Sequence, residues 1–261
     1  MPLIERGVRE DRLMIASRLA SSIAAHLVGR ALSLAAVLAA ASTVAIACIS
    51  APAHAAAVTR MEIGSPDTTA FLLSGRLVGG ELLALQSEVA KLPSNRRVAV
   101  VLESPGGLIT EGLKLGQFFY DAKIATFVFA GGYGCHSACA LAFLGGRDAA
   151  TGKPLRVMMS GARLGFHQFG AKFDTTKTYT KTDMAGVVQN THRVMDDIIG
   201  YLHAINEDLS FLPLMLRAPH EAITLVSDDE ALMKGIHVME QKTQRIIDPS
   251  NIVKRRVASQ S

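Results

Sequence analysis

The sequence of 261 residues contains no tryptophan, and only 5% of its residues are aromatic. Its net charge at pH 7 is a modest +4, and no basic stretch is interleaved with aromatic side chains. Nucleic-acid-binding proteins concentrate basic and aromatic groups on one surface, so the composition argues against a nucleic-acid partner. The short basic run at residues 254–256 is typical of a solvated tail.

Two further absences limit the cofactors that the chain could bind. Neither of its two prominent glycine turns ends in the Gly-Lys-Ser/Thr pattern of a phosphate-binding loop. Only three cysteines are present, and no second cluster of cysteine or histidine is spaced for zinc. The sequence therefore predicts neither a metal nor a cofactor. With 49% hydrophobic and 19% charged residues, it is typical of a folded, globular chain.

The N-terminal region has the pattern of a secretory signal. Five arginines within residues 1–30 precede an uncharged apolar stretch at 31–50, and small residues follow at Ala53 and Ala55. This order predicts a signal peptide over 1–55, cleaved after Ala55, and a periplasmic or secreted product. The alternative is an uncleaved membrane anchor, because an apolar stretch of about 20 residues can span a bilayer.

The remaining chain alternates between apolar runs typical of strands and segments with helical spacing. This alternation predicts an α/β fold with a mostly parallel sheet, formed by residues 69–245 after a polar leader at 56–68 and before a basic, polar tail at 246–261. The predicted strands are at 71–77, 98–102, 124–129, 163–167 and 223–226. The predicted helices are at 80–92, 108–121, 138–144, 183–206, 208–217 and 228–234. A polar loop is expected at 147–156 and a protruding hairpin at 168–182.

Two strand-to-helix turns contain residues that suit acyl-transfer chemistry. The first is SPGG at 104–107, and the second is GGYGCHS at 131–137, which ends at Ser137 before a buried helix. Backbone N–H groups at a glycine turn and at a helix start stabilise the negative charge that forms when a serine attacks a carbonyl. His167, after a later strand, is the candidate base. Taken singly, these features are explained more simply by a helix-capping serine, a structural histidine and a plain glycine turn.

Taken together, the segments SPGGLITEGL, GCHSACALAFLGG and LGFHQFG, followed by Glu-Ala-x-x-x-Gly at 230–235, resemble the proteolytic subunit of the Clp protease. The resemblance implies the ClpP/crotonase-like spiral of ββα units in a single domain. It also implies a hydrolase that acts on a peptide or protein, with Ser137 as nucleophile and His167 as base. By the same resemblance, the backbone N–H groups of Gly107 and Ala138 form the oxyanion hole.

One position departs from the family pattern. The position that aligns with the family's orienting aspartate is Ile223 here. A small shift of the alignment would instead place one of three nearby carboxylates there: Glu221, Asp228 or Asp229. This departure leaves open a catalytically weak or inactive binding or assembly module. A crotonase-like acyl-CoA enzyme is a further alternative, but it is less consistent with export. A peptidase with a Ser-Lys dyad is also less consistent with the sequence, because Lys114 does not match the position of that family's base.

The two cysteines beside Ser137 are predicted to form a disulfide. Cys135 and Cys139 are four residues apart at a helix start, and export places them in an oxidising compartment. The alternative is a pair of buried thiols that pack as small apolar groups. His136 is expected at the rim of the site. Because an exported protein meets no ATP, the ATPase partner of the Clp peptidase is not expected, whereas self-association remains compatible with the resemblance.

Overall fold

A computed structural model describes residues 55–63, 65–170, 173–174 and 176–251. The predicted signal peptide therefore lies, except for Ala55, outside the described residues, as does most of the C-terminal tail. Within the described part, ten strands form two sheets. The strands are β1 (Ala57–Met61), β2 (Thr68–Ser74), β3 (Arg97–Glu103), β4 (Ala125–Val128), β5 (Cys135–His136), β6 (Arg156–Met159), β7 (Leu164–Phe166), β8 (Thr224–Leu225), β9 (His237–Met239) and β10 (Ile246–Ile247).

Six α-helices accompany these strands in the described residues, with a 3₁₀ turn at Leu209–Phe211. The helices are α1 (Glu81–Ala90), α2 (Ile109–Asp121), α3 (Ala138–Phe143), α4 (Lys181–Ala204), α5 (Leu212–Arg217) and α6 (Asp228–Met233). Strands and helices alternate along most of the chain. The molecule is thus an α/β protein.

The larger sheet has the strand order β1-β2-β3-β4-β6-β9-β10. Strands β2, β3, β4, β6 and β9 run parallel to one another, and in this sheet only the edge strands β1 and β10 pair antiparallel, with β2 and β9 respectively. The centre of β3 is the uninterrupted apolar run VAVVL, as expected for a strand covered on both faces. The sheet is therefore mostly parallel, as the sequence predicted.

The smaller sheet, β5-β7-β8, lies at the carboxyl end of β3. An isolated parallel bridge joins Ser104 to Cys135, and β5 pairs parallel with β7 so that His136 is opposite Gly165. The two glycine turns and the segment that ends at His167 consequently meet at one end of the large sheet.

Helix α3 is the most deeply buried helix of the described chain, since all six of its residues are buried. Glycines on α2 allow it to approach closely, because a Cβ atom at Gly112 would lie 2.3 Å from the carbonyl oxygen of Ala138. At the other end, the hydroxyl of Tyr201 donates a hydrogen bond of 2.8 Å to the carbonyl of Leu141. Helix α3 is thus held between α2 at its start and α4 near its end.

Several local predictions differ from the structure. The expected polar leader contains edge strand β1, and the predicted polar loop at 147–156 ends in the first residue of β6, with Arg147 and Asp148 buried. The described residues of the predicted hairpin at 168–182 contain no strand, and α4 begins at Lys181 with Thr180 as its N-cap. Strands β5, β6, β9 and β10 were not predicted. Edge and short strands depend on backbone pairing, which leaves a weak side-chain pattern.

The described residues contain no helix that combines the length and the apolar character needed to cross a bilayer. The apolar stretch at 31–50, on which the prediction of a signal peptide or anchor depends, lies outside those residues.

Candidate active site

Ser137 lies at the junction between β5 and α3 in an unusual backbone conformation. Its φ is 57° and its ψ is −124°. A positive φ is uncommon for residues other than glycine. Its N–H donates a 3.0 Å hydrogen bond to the carbonyl of Gly165, and the residue is only partly buried. Such strain is found at functional sites where the surrounding structure holds it in place.

The SPGG turn packs directly against Ser137. A Cβ atom at Gly106 would lie 2.8 Å from the Cβ of Ser137 and 2.6 Å from the carbonyl oxygen of His136, so only glycine fits there. The hydroxyl of Ser104 accepts a 3.1 Å hydrogen bond from the Gly106 N–H. In turn, the Ser104 carbonyl accepts a 3.0 Å hydrogen bond from the His136 N–H. These contacts join the two turns into one unit.

Two backbone N–H groups beside Ser137 have no hydrogen-bond acceptor among the described residues. They belong to Gly107 and to Ala138, the first residue of α3. The Cβ position of Gly106 is 3.2 Å from the Ala138 nitrogen, so the two donors come from adjacent turns. A side chain at Gly107 would lie 2.0 Å from the Leu77 carbonyl oxygen. Backbone N–H groups without acceptors are the kind of group that stabilises a negatively charged oxygen.

His167 follows β7, beside the strand that ends in the serine turn. Its Nδ1 is 2.6 Å from the carbonyl oxygen of Gln168. Because a carbonyl can only accept, Nδ1 carries the hydrogen, and Nε2 of the neutral ring is the free acceptor. Among the described residues, Ser137 Oγ and the His167 ring form no hydrogen bond with each other. Catalytic hydrogen bonds are often long before a substrate binds.

A second histidine, His220, packs beside the candidate base. The ring centroids of His167 and His220 are 5.3 Å apart with an edge-on angle of 62°, and His220 Nδ1 is 3.3 Å from the same Gln168 oxygen. Gln168 is itself held at both ends: its N–H donates to the Ala218 carbonyl at 2.9 Å, and its side-chain Nε2 donates to the Leu216 carbonyl at 2.8 Å. The sequence reasoning missed His220, although it lies three residues before the expected aspartate position.

No carboxylate takes the place of the family's aspartate among the described residues. At the aligned position, the Cγ2 atom of Ile223 packs over Gly165, 2.4 Å from where a Cβ would be. Asp228 accepts a 2.5 Å hydrogen bond from the hydroxyl of Ser160 instead. Among the described residues, none of the three candidate carboxylates forms a hydrogen bond with His167: neither Asp228 nor Glu221 nor Asp229. The hydrogen-bond partner of the His167 ring is therefore a main-chain carbonyl, which leaves no signal in a sequence.

The sequence predicted His136 at the rim of the site, but the structure buries it. Only 6% of it is exposed, and its Nε2 has no hydrogen-bond partner in the described residues. Burial lowers the pKa of this imidazole below its ordinary value, and the nearby charges of Arg163 and His167 lower the pKa further. The rim prediction was wrong because β5 pairs with β7, so that the ring packs against Gly165.

The structure joins Cys135 to Cys139 through a disulfide, with the two Cα atoms 5.2 Å apart. Both residues are fully buried. The bond crosses the turn from β5 into α3 and encloses Ser137. It therefore restrains the segment that holds the serine at positive φ.

A groove of about 720 Å³ lies between the start of α2, the segment after His167, and the first half of α4. Its apolar lining comes from Ile109, Phe169, Val187 and Val194. Ile109 is two residues beyond Gly107, and Phe169 is two residues beyond His167. Neither Ser137 nor His167 lines the groove, which therefore adjoins the candidate site only through these sequence neighbours.

Comparisons with known proteins add no assignment. No family model matches this chain, and no curated protein has a matching sequence. The resemblance to the Clp peptidase therefore rests on the sequence motifs alone.

Proposed function

We propose that this chain is an exported serine hydrolase with the ClpP/crotonase-like spiral fold. It acts as a peptidase through an acyl-enzyme on Ser137, with His167 as the base. The observation that carries the proposal is the position of Ser137, a strained residue next to the backbone N–H groups of Gly107 and Ala138, which have no acceptor among the described residues. A serine that only capped a helix would not need this conformation.

In the proposed acylation, Ser137 Oγ attacks the substrate carbonyl and gives its proton to Nε2 of His167. The carbonyl oxygen becomes an oxyanion that accepts hydrogen bonds from the Gly107 and Ala138 N–H groups. The tetrahedral intermediate then collapses, the bond to the leaving amine breaks, and the amine takes the proton from Nε2. Removing one oxyanion donor typically lowers the rate by about 10²–10³-fold.

In the proposed deacylation, water attacks the acyl-enzyme and its proton passes to Nε2 of His167. Collapse of the second intermediate breaks the ester bond, releases the acid, and returns the proton to Ser137 Oγ. The Gln168 carbonyl holds the tautomer of His167, but it has no full negative charge to stabilise the imidazolium. We therefore expect slow turnover, since loss of the triad aspartate lowers the rate about 10⁴-fold elsewhere.

The test is labelling of the full-length protein with a fluorophosphonate, which forms a bond to an activated serine. We expect labelling of the wild type and none of Ser137→Ala or His167→Ala. The matched control is Ser94→Ala, which removes an exposed serine from a turn and should label like the wild type. Folded wild-type protein that stays unlabelled would contradict the hydrolase proposal.

The second candidate is a binding or assembly module without turnover. It is favoured by the missing carboxylate and by the lack of a hydrogen bond between Ser137 Oγ and His167 in the described structure. The same experiment separates the two, because an unlabelled but folded protein is the result that this alternative requires. In that case the groove beside Ile109 and Phe169 is the region to test for peptide binding.

Export is part of the proposal and has its own test. The disulfide between Cys135 and Cys139 supports it, because such bonds persist in oxidising compartments. We expect the protein recovered from the periplasm or the medium to begin at Ala56, one residue before β1. Its intact mass would show this cleavage. A product that keeps residues 1–55 in the membrane fraction would instead support an anchor.

The proposed substrate is a peptide or protein segment that reaches Ser137 through the groove. An ATPase partner is not proposed, because an exported enzyme has no ATP supply.

A further inference from the structure

The Gln168 carbonyl is the point at which the two histidine rings meet. His167 Nδ1 is 2.6 Å from this oxygen, and His220 Nδ1 is 3.3 Å from it. A carbonyl oxygen has two lone pairs, so it can accept from both rings at once. Each Nδ1 must then carry its hydrogen.

The edge-on contact between the two rings limits the movement of His167. The centroids are 5.3 Å apart, and the backbone at Gly170 supports His220 from behind, since a Cβ there would lie 3.2 Å from the His220 Cβ. The ring of His167 is therefore restrained through its Nδ1 hydrogen bond and through the neighbouring ring.

We propose that His220 is a positioning residue for the base. This role rests on the proposed function. His220 holds the Gln168 carbonyl and the His167 ring in place, so that Nε2 of His167 is presented to Ser137. Among the described residues, no carboxylate performs this task. His220 does not itself touch the substrate. Its donor group and its ring each have a separable part in this task.

The experiment measures the maximal rate constant of fluorophosphonate labelling and the apparent affinity for the probe, in full-length protein. The variants are His220→Phe, which keeps a ring but removes the donor, and His220→Asn, which keeps an N–H near the position of Nδ1. A third variant, His220→Ala, removes both. His203→Ala is the matched control, since His203 is an exposed histidine on the surface of α4.

We expect the maximal rate constant to fall about tenfold in His220→Phe, the size of one net hydrogen bond, with unchanged probe affinity. His220→Asn should restore most of this loss, and His220→Ala should show the largest loss. A purely structural role would not be rescued by asparagine. If His220→Ala fails to fold, the phenylalanine and asparagine variants still decide the question.

Two results would overturn the proposal: labelling of His220→Phe at the wild-type rate, and no rescue by His220→Asn. Both leave the hydrolase itself intact, because the wild type is still labelled. A folded wild type that is not labelled removes the hydrolase and this role of His220 together, and so the two failures are distinguishable.

Discussion

At the scale of single residues, the site depends on positions where a side chain of a different size or charge would not fit. Gly106 contacts the backbone and Cβ of the serine turn, and Ser137 takes a conformation that most residues avoid. His136 buries an imidazole nitrogen without a partner. The positive φ of Ser137 and the unpaired nitrogen of His136 each have a cost in stability, and Gly106 packs against both of these residues.

Gly106→Ala should impair both folding and labelling. The added Cβ would lie 2.6 Å from the His136 carbonyl oxygen, at a backbone φ of +90°. Strain at such a φ costs about 1–3 kcal/mol, and a shift of the serine turn by about 1 Å can slow labelling about hundredfold. Denaturant unfolding and the labelling rate measure the two effects.

The control for this change is Gly152→Ala. Gly152 also has a positive φ, +67°, but an added Cβ would meet nothing within 4 Å. It should lose about 1 kcal/mol and keep its labelling rate. If Gly106→Ala behaved in the same way, close packing of the two turns would not be what shapes the site.

His136 should make the fold less stable at mildly acidic pH. Burial, Arg163 and His167 lower its pKa in the folded state, whereas its unfolded pKa is about 6.5. Above that value the ring is neutral in both states. As the pH falls below it, the unfolded state takes up a proton that the folded state refuses, so stability falls until the folded pKa is reached.

The measurement is the free energy of unfolding at pH 7.5 and at pH 5.5 for the wild type, His136→Phe and His192→Phe. His192 is an exposed histidine and serves as the control. The loss of stability between the two pH values should be smaller in His136→Phe than in the other two proteins. Equal losses in all three would assign the pH effect to other groups.

At the scale of secondary-structure elements, the site is formed where β5 passes into α3. The disulfide between Cys135 and Cys139 closes a five-residue ring around this junction. The buried start of α3 and the glycine-rich face of α2 hold it from the other side. The junction is therefore restrained by covalent and packing contacts at once.

Replacing both cysteines, as in the Cys135→Ala and Cys139→Ala double variant, should destabilise the protein by about 2 kcal/mol, the chain-entropy value for so short a ring. Labelling at Ser137 should also slow, because the serine turn is freer to leave its strained conformation. Denaturant midpoints with and without reductant provide the measurement. The double variant should not respond to reductant, and a midpoint equal to that of the wild type would show that the bond does not stabilise this junction.

At the scale of the whole molecule, the buried side chain of Arg156 connects elements that are distant in sequence. From β6 it donates to Glu207 Oε2 at 2.6 Å and to the Leu144 carbonyl at 3.1 Å, and it lies over the ring of Phe211. Only 2% of the arginine is exposed. It thus links the large sheet to the ends of α3 and α4.

Glu207→Ala should destabilise the whole fold by about 3 kcal/mol, because it leaves the buried charge of Arg156 without its counter-ion. The control is Glu88→Ala, which breaks an exposed ion pair with Lys91 and should cost less than about 1 kcal/mol. Denaturant unfolding of both variants provides the comparison. Similar losses in the two would show that Glu207 is not needed to compensate this charge.

The sequence alone determined the fold class and the order of the site segments. The apolar run in β3 and the apolar helix α3 have to be buried on all sides, and that requirement produces a parallel sheet with helices around it. Glycine pairs and a serine before a buried helix are also visible as residue types. Ser137 and His167 could therefore be proposed as nucleophile and base before any coordinates, and Gly107 was added through the resemblance to the Clp peptidase.

Only the tertiary structure decided how these residues are supported. The partner of His167 is the carbonyl of Gln168, and a main-chain group has no residue type that a sequence could reveal. Burial of His136 depends on the pairing of β5 with β7, and the contact of His220 depends on a loop that returns to the site from fifty residues away. Such long-range contacts arise from backbone pairing and packing, because local patterns specify only which surfaces must be buried.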